Sequence, residues 1–171
     1  MTRYIAGLDA DGRSAILKRS PARRTWTWQN SQDRAPHFVE RHLVDDPETF
    51  RPGANAGMLT ELYTTQMTPD GIVGENPDDD ADPPGQMSLD VPAGVTRWCV
   101  ASYGPGYRSA MHFTDSIDFD MCIAGEMILM LETEEIVLRP GDAVYLPRLQ
   151  HAWRTDTGGT FAFLMISPHP S

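Results

Sequence analysis

The sequence has little positive charge and no long apolar run. Its 171 residues include 24 acidic but only 14 basic side chains, so the formal net charge is −10. This deficit disfavours nucleic acid, which needs a basic face, and an anionic membrane surface, which repels an acidic chain. No apolar stretch approaches the roughly 20 residues that cross a bilayer, and the N-terminus MTRYIAGLDADGR lacks the apolar segment of a signal peptide. We therefore expect a soluble cytoplasmic protein without nucleic-acid or membrane partners.

Cysteine is also scarce, with Cys99 and Cys122 as the two occurrences in the sequence. Both lie in apolar, strand-like segments, and in a reducing compartment they are most simply small buried hydrophobic residues. A disulfide between them stays open, because sequence spacing does not show whether two strands are adjacent. The chain length and the 40% hydrophobic content fit one compact domain with additional segments.

The order of the sequence patterns divides the chain into two regions. Residues 1–57 are predicted to form a hairpin, with its turn at Asp11-Gly12, followed by an irregular arm. Residues 58–171 are predicted to form a β-barrel core. Strands of this core are predicted over 58–67, 95–103 and 160–166. Residues 68–92 contain five prolines and the run Asp78-Asp79-Asp80, and such a segment buries little apolar surface, so we expect a mobile acidic loop there.

The stretch from Gly106 to Trp153 contains the candidate chemistry. Turns at 124–125, 132–135 and 140–141 divide it into short strands, a pattern typical of a closed or sandwiched β architecture. If one strand runs from 111 to 123, side chains two residues apart point to the same face. His112, Thr114, Asp118 and Asp120 would then share one face. A barrel would bring His151 toward them from across the sheet. Two imidazoles and one carboxylate form a ligand set that suits iron(II) and also accepts zinc, manganese or nickel.

The same block resembles the cupin superfamily, and in particular its small single-domain members. The spacing of the first cupin motif, G-x5-H-x-H-x3,4-E-x6-G, is matched by Gly106, His112, Thr114, Asp118 and Gly125. The spacing of the second, G-x5-P-x-G-x2-H-x3-N, is matched by Gly141, Pro147 and, one residue early, His151. The departures are Thr114 in place of a histidine, Asp118 in place of glutamate and Leu149 in place of glycine. The resemblance covers roughly the last 75 residues, enough for a barrel core, and implies an all-β fold: a cupin-type jelly-roll β-barrel with an N-terminal arm of extra strands.

The resemblance also implies roles for individual side chains. It implies a mononuclear divalent-metal site formed by His112, Asp118 and His151. Thr114 would lie beside a bound water, and Asp120, which shares the parity of the ligands, is a candidate general base. Arg97 is a candidate for holding a substrate carboxylate or enolate, and an arginine that is exposed or paired with an acidic residue stays open as the alternative. The predicted pocket lining comprises Trp98, Tyr103, Tyr145 and Trp153.

Known members of the resembling family include ring-cleaving dioxygenases, polyketide cyclases, decarboxylases, dehydratases and isomerases. We therefore expect an enzyme that uses iron(II), or else zinc, manganese or nickel, to transform a small aromatic, polyketide-like or enolisable oxygenated compound. The reaction would be a dioxygenation or a Lewis-acid-assisted cyclisation, lyase or isomerase reaction. Two alternatives stay open: a metal-free enzyme in which Asp118, Asp120 and His151 act as acids and bases, and a non-catalytic module that binds a small ligand. Exposed sheet edges and the N-terminal arm further predict a homodimer.

Overall fold

The computed structural model describes residues 1–22, 24–29, 38–43, 51–68, 70–75, 86–88 and 90–168. Within these ranges the chain forms fourteen β-strands and no helix, so none of the described segments is a helix that could span a membrane. The strands are β1 (Thr2–Leu8), β2 (Ser14–Pro21), β3 (Arg24–Gln29), β4 (Phe38–Leu43), β5 (Ala56–Thr68), β6 (Gly71–Glu75), β7 (Gln86–Ser88), β8 (Val95–Tyr103), β9 (Ile117–Gly125), β10 (Met127–Met130), β11 (Glu135–Leu138), β12 (Ala143–Pro147), β13 (Ala152–Arg154) and β14 (Gly159–Ile166).

The strands pair antiparallel in three sheets. The large sheet has nine strands in the order β12-β9-β14-β8-β5-β3-β4-β7, and β6 pairs with β5 outside this path. The small sheet has the order β11-β10-β13, and β1 and β2 form a separate hairpin. Met127 and Leu129 of the small sheet share one buried cluster with Cys99 and Phe161 of the large sheet, so the two sheets enclose a common core. This arrangement confirms the predicted all-β jelly-roll barrel with additional N-terminal strands.

Alternation along the central strands determines which side chains enter the barrel. In β14 every second residue is buried, and these include Phe161, Phe163 and Met165. In β9 the buried positions carry polar groups, namely Asp118, Asp120 and Cys122. Side chains of a strand point alternately to its two faces, so the same register that buries the apolar residues of β14 also turns two carboxyl groups inward. The barrel interior therefore combines an apolar wall with a polar one.

Gly125 shows why a glycine stands at the end of the first motif. It ends β9 in the left-handed region with φ of 69°, which residues with a Cβ rarely adopt. A Cβ there would also overlap the carbonyl oxygen of Gly158, which precedes β14. The glycine thus lets the chain turn from β9 into β10 while remaining close to β14.

The described part of the N-terminal region packs on its own chain as regular strands. Strand β3 lies between β5 and β4 in the large sheet and places Trp26 in the fully buried core. The β1–β2 hairpin turns at Gly12, as predicted, and its buried Arg3 donates a hydrogen bond to the carbonyl oxygen of Leu62 in β5 at 3.1 Å. Where the arm is described, at 24–29 and 38–43, the prediction of irregular structure is corrected to strands, and the predicted division between residues 57 and 58 falls inside β5. The predicted homodimer stays a prediction.

The segment over residues 68–92, predicted as a mobile loop, contains two further strands. Strand β6 pairs with β5, and β7 pairs with β4, so both extend the large sheet. Backbone pairing thus overrides the polar and proline-rich composition at these positions. The acidic run Asp78-Asp79-Asp80 and the predicted mobility lie outside the described residues.

Candidate functional site

The two motif histidines are direct cross-strand neighbours. The backbone N–H of His112 donates to the carbonyl oxygen of His151 at 2.9 Å, and the N–H of His151 donates back to His112 at 3.0 Å. Their ring centroids are 4.5 Å apart. The predicted unbroken strand from 111 to 123 is wrong, because β9 begins at Ile117 and His112 belongs to an isolated bridge. Cross-strand pairing, rather than parity within one strand, therefore brings the imidazoles together.

Each imidazole is oriented by a backbone carbonyl two residues before it. Nδ1 of His112 lies 3.0 Å from the carbonyl oxygen of Ala110, and Nδ1 of His151 lies 3.0 Å from that of Leu149. A carbonyl oxygen only accepts hydrogen bonds, so Nδ1 of each ring carries a proton. Burial lowers the pKa of His151, while the bond to Leu149 raises it. Nε2 is therefore the atom through which either ring, when neutral, can bind a metal.

Asp118 is held by two hydroxyl groups. It is buried in β9 and accepts hydrogen bonds from Ser116 Oγ at 2.6 Å and Thr114 Oγ1 at 3.3 Å. Burial raises its pKa, and the bonds from Ser116 and Thr114, together with the charge of His112, lower it. Thr114, which replaces a motif histidine and was predicted beside a bound water, therefore orients the neighbouring carboxyl group.

The three predicted metal ligands line one cavity, but they do not form one compact cluster. His112, Asp118 and His151 all face it. Nowhere in the described part of the chain do three His, Cys, Asp or Glu side chains converge into a metal-binding group. The donor chemistry fits a divalent metal, because two imidazoles share the cavity with a carboxyl group. The adjacent pair His112 and His151 thus forms the centre of the candidate site.

The cavity combines this polar wall with aromatic walls. It contains about 830 Å³ of space not filled by atoms, a volume that includes its open mouth. Tyr103 and Trp153, both predicted in the lining, contribute to it. So do Trp28 and Tyr107, which were not predicted, and whose side chains are joined by a hydrogen bond from Trp28 Nε1 to the Tyr107 hydroxyl at 3.4 Å. The sequence around these two residues contains no pattern that would have identified them.

Trp98 and Tyr145 are corrections to the predicted lining. Their exposed fractions are 45% and 52%. Trp98 stacks on Tyr63 with ring centroids 5.6 Å apart, and Tyr145 lies against Phe119 at 5.4 Å. Each of them is next to a buried residue in its strand, and adjacent side chains of a strand point to opposite faces. Trp98 and Tyr145 therefore point away from the barrel interior.

Arg97 faces the cavity and is paired with an acidic residue. Its Nε lies 3.2 Å from Glu61 Oε2, and only 11% and 4% of the two side chains are exposed. The contact is an ion pair without the alignment of a hydrogen bond. Both readings of the sequence therefore apply to Arg97, since it lines the cavity and it also has an acidic partner.

Asp120, the predicted general base, lies in the cavity wall next to the metal-ligand candidates. It is buried, and among the described residues no donor forms a hydrogen bond with its carboxyl group. Burial raises its pKa well above the usual range, and the nearby charge of Asp118 raises it further. The carboxyl group therefore holds its proton to a higher pH than an exposed aspartic acid, and in the protonated form it can donate a hydrogen bond.

Replacing Asp120 with asparagine is expected to flatten the dependence of stability on pH. Because folding raises the pKa of Asp120, the folded state binds the proton more tightly than the unfolded state. The free energy of unfolding therefore falls as the pH rises from the unfolded pKa, about 3.9, toward the folded pKa. Above both pKa values, the free energy of unfolding is lower by about 1.4 kcal/mol for each unit by which folding raises the pKa. Urea titrations at several pH values give the slope of the free energy of unfolding against pH. This slope should be shallower for Asp120→Asn than for the control Asp70→Asn. Equal slopes in the two variants would contradict the raised pKa of Asp120.

Comparison with known proteins connects this geometry to a family. No family model matches the chain. Over 168 residues it is 27% identical to the cupin-domain-containing oxidoreductase fogC of Aspergillus ruber, a match that covers 97% of this chain and 70% of that protein. The chain is therefore similar over almost its whole length to a protein with a cupin domain. The likeness extends through the N-terminal strands, whereas the motif resemblance was limited to the C-terminal block.

Other similar proteins match smaller parts of the chain. The phomopsin biosynthesis cluster protein C' of Diaporthe leptostromiformis is 32% identical over 93 residues, which are 52% of this chain and 47% of that protein. Among solved structures, a cupin superfamily protein from Desulfitobacterium hafniense has a TM-score of 0.40 at 15% identity, covering 42% of this chain and 66% of its own. The DMSP lyase DddQ from Ruegeria pomeroyi has a TM-score of 0.39 at 26% identity, covering 42% and 38%. The chain therefore spans about half the length of the phomopsin-cluster protein.

Proposed function

We propose that this protein is a cupin enzyme that transforms a small aromatic, polyketide-like or enolisable oxygenated compound with the help of a divalent metal. The observation that carries the proposal is the pair of adjacent imidazoles, His112 and His151, which lie in one cavity with a carboxyl group and whose Nδ1 atoms each contact a backbone carbonyl. The names of the relatives support an enzyme, since one is an oxidoreductase and the other belongs to a biosynthesis cluster.

The metal would be held by His112 and His151, with Asp118 as the acidic member of the set. Iron(II) is our first choice and zinc, manganese or nickel the others, because two imidazoles with a carboxylate suit all of them. When bound, the metal supplies either Lewis-acid or dioxygen-dependent chemistry. A mononuclear site with open positions also leaves room for substrate oxygen atoms.

The side chains around the site perform the remaining tasks. Thr114 and Ser116 orient Asp118 through its two carboxylate oxygens. The aromatic walls restrict water and favour a flat apolar ligand. Asp120, whose pKa is raised by burial and by the charge of Asp118, can give a proton to substrate and take it back.

Metal removal tests the proposal. The protein as purified should contain metal by elemental analysis, and it should convert at least one compound from a panel of phenols, aryl ketones and 1,3-dicarbonyls, followed by mass spectrometry. Exhaustive chelation should abolish that conversion, and readdition of one of the four metals should restore it. Conversion that survives chelation would replace the metal mechanism with the alternative of acid and base catalysis by Asp118, Asp120 and His151, which the two buried carboxyl groups favour. Binding without conversion would identify a non-catalytic module.

A further inference from the structure

Tyr103 carries a polar group that the proposed chemistry does not use. It is the last residue of β8, and its ring is packed on three sides by other aromatic rings. The centroid distances are 4.2 Å to Tyr107, 5.5 Å to Phe161 and 6.0 Å to Trp28. A ring confined in this way has one orientation, so its hydroxyl group is held at a fixed place in the cavity wall.

The hydroxyl group of Tyr103 lacks a partner within the described structure. No described residue donates a hydrogen bond to it or accepts one from it, whereas the hydroxyl of the adjacent Tyr107 accepts the indole N–H of Trp28. Tyr103 is half-buried in the cavity lining, so a ligand in the cavity can reach a hydroxyl group that no described residue engages. Burial raises the pKa of Tyr103 well above its usual value, and Tyr107, Asp120 and Cys99 raise it further. The group therefore remains a hydrogen-bond donor at every physiological pH.

The surroundings of the hydroxyl define what it can bind. The rings of Trp28 and Tyr107 lie against the ring of Tyr103. Phe161 continues the aromatic surface to Trp153, with 4.8 Å between the two ring centroids. Trp28 has its place because residue 57 is a glycine: a Cβ at Gly57 would overlap the indole ring. Aromatic faces and edges favour a flat ring in offset or edge-to-face contact.

We propose that the Tyr103 hydroxyl donates a hydrogen bond to a carbonyl or phenolic oxygen of a planar aromatic compound and thereby selects oxygenated rings over hydrocarbon rings. This inference relies on the proposed function only in taking the cavity as the binding site. Tyr103 is then a specificity-determining residue, separate from the histidine pair.

The test compares acetophenone with α-methylstyrene, which has a methylene group in place of the carbonyl oxygen. Both are titrated into the full-length protein after chelation, with ligand-observed NMR to measure dissociation constants. The wild-type protein should bind acetophenone about three- to tenfold more tightly, the effect of one hydrogen bond between neutral groups. Tyr103→Phe keeps the aromatic packing and removes only the hydroxyl, so it should bind the two compounds with equal affinity. The matched control Tyr145→Phe, on the outer face, should keep the preference.

The dissociation constants measured in this test do not depend on turnover of substrate. A preference for acetophenone that Tyr103→Phe retains, or the absence of any preference in the wild-type protein, would overturn the role of Tyr103. Neither result bears on the metal content or the substrate conversion of the wild-type protein, which test the proposed function. Conversely, a protein without metal or turnover that still loses its preference on Tyr103→Phe would refute the proposed enzyme and support this inference. Thermal unfolding of each variant establishes that affinities are compared between folded proteins.

Discussion

Replacing either His112 or His151 with alanine is expected to abolish metal binding and substrate conversion. Each variant removes one of the two imidazoles that lie side by side across the backbone bridge. Loss of a residue that only supports a ligand weakens metal affinity by about 10–100-fold, so loss of a ligand itself should exceed that. Metal content per chain, measured by elemental analysis, and turnover should fall together in both variants.

The histidine experiment needs a control in the same loop. Gln150 precedes His151 and is exposed, so Gln150→Ala should keep both metal and turnover. Circular dichroism should show that all three variants retain the wild-type β spectrum, because each histidine keeps its backbone bridge when the side chain is shortened. A histidine variant that is folded and retains full metal content would show that the metal, if any, binds elsewhere.

Phe161→Ala is expected to produce the largest loss of stability. Phe161 is 5% exposed in β14, and its ring contacts Tyr103, Trp153 and Phe163 at centroid distances between 4.8 and 5.5 Å. Removing a buried aromatic side chain costs about 3–5 kcal/mol through lost burial and the cavity that remains. Since natural domains are stable by only about 5–15 kcal/mol, this loss is a large fraction of the total.

A residue on the opposite face of the same strand provides the comparison for Phe161. Leu164 is half-buried and points outward from β14. Leu164→Ala should therefore lower the free energy of unfolding by clearly less than Phe161→Ala in urea titrations. Equal effects would contradict the assignment of the even-numbered residues of β14 to the outer face.

Short-range patterns in the sequence were sufficient to predict several strands and turns of the fold. The turn at Asp11-Gly12, the strand character of 95–103 and the final apolar strand all rest on local conformational preferences, and the structure reproduces them. The N-terminal region was harder to predict, because β3 is stabilised by pairing with β4 and β5, partners that are distant in the sequence. Composition gave no information on that pairing.

The alternation of side chains along a strand predicted the positions of some site residues correctly and of others incorrectly. Asp118 and Asp120 share one inward face of β9, as expected. Trp98 was predicted in the lining together with Arg97, although adjacent residues of a strand point to opposite faces, and Arg97 is the one that faces the cavity. Trp28 and Tyr107 enter the lining through tertiary contacts, which spacing along one strand does not reveal.

Anomalous X-ray diffraction from crystals of the protein as purified tests the central claim most directly. Data collected above and below the absorption edge of the metal found by elemental analysis identify both its element and its position. We predict one anomalous peak within bonding distance, about 2.0–2.2 Å, of the Nε2 atoms of His112 and His151. A metal peak remote from both imidazoles, or metal-free crystals of protein that still converts substrate, would contradict the account.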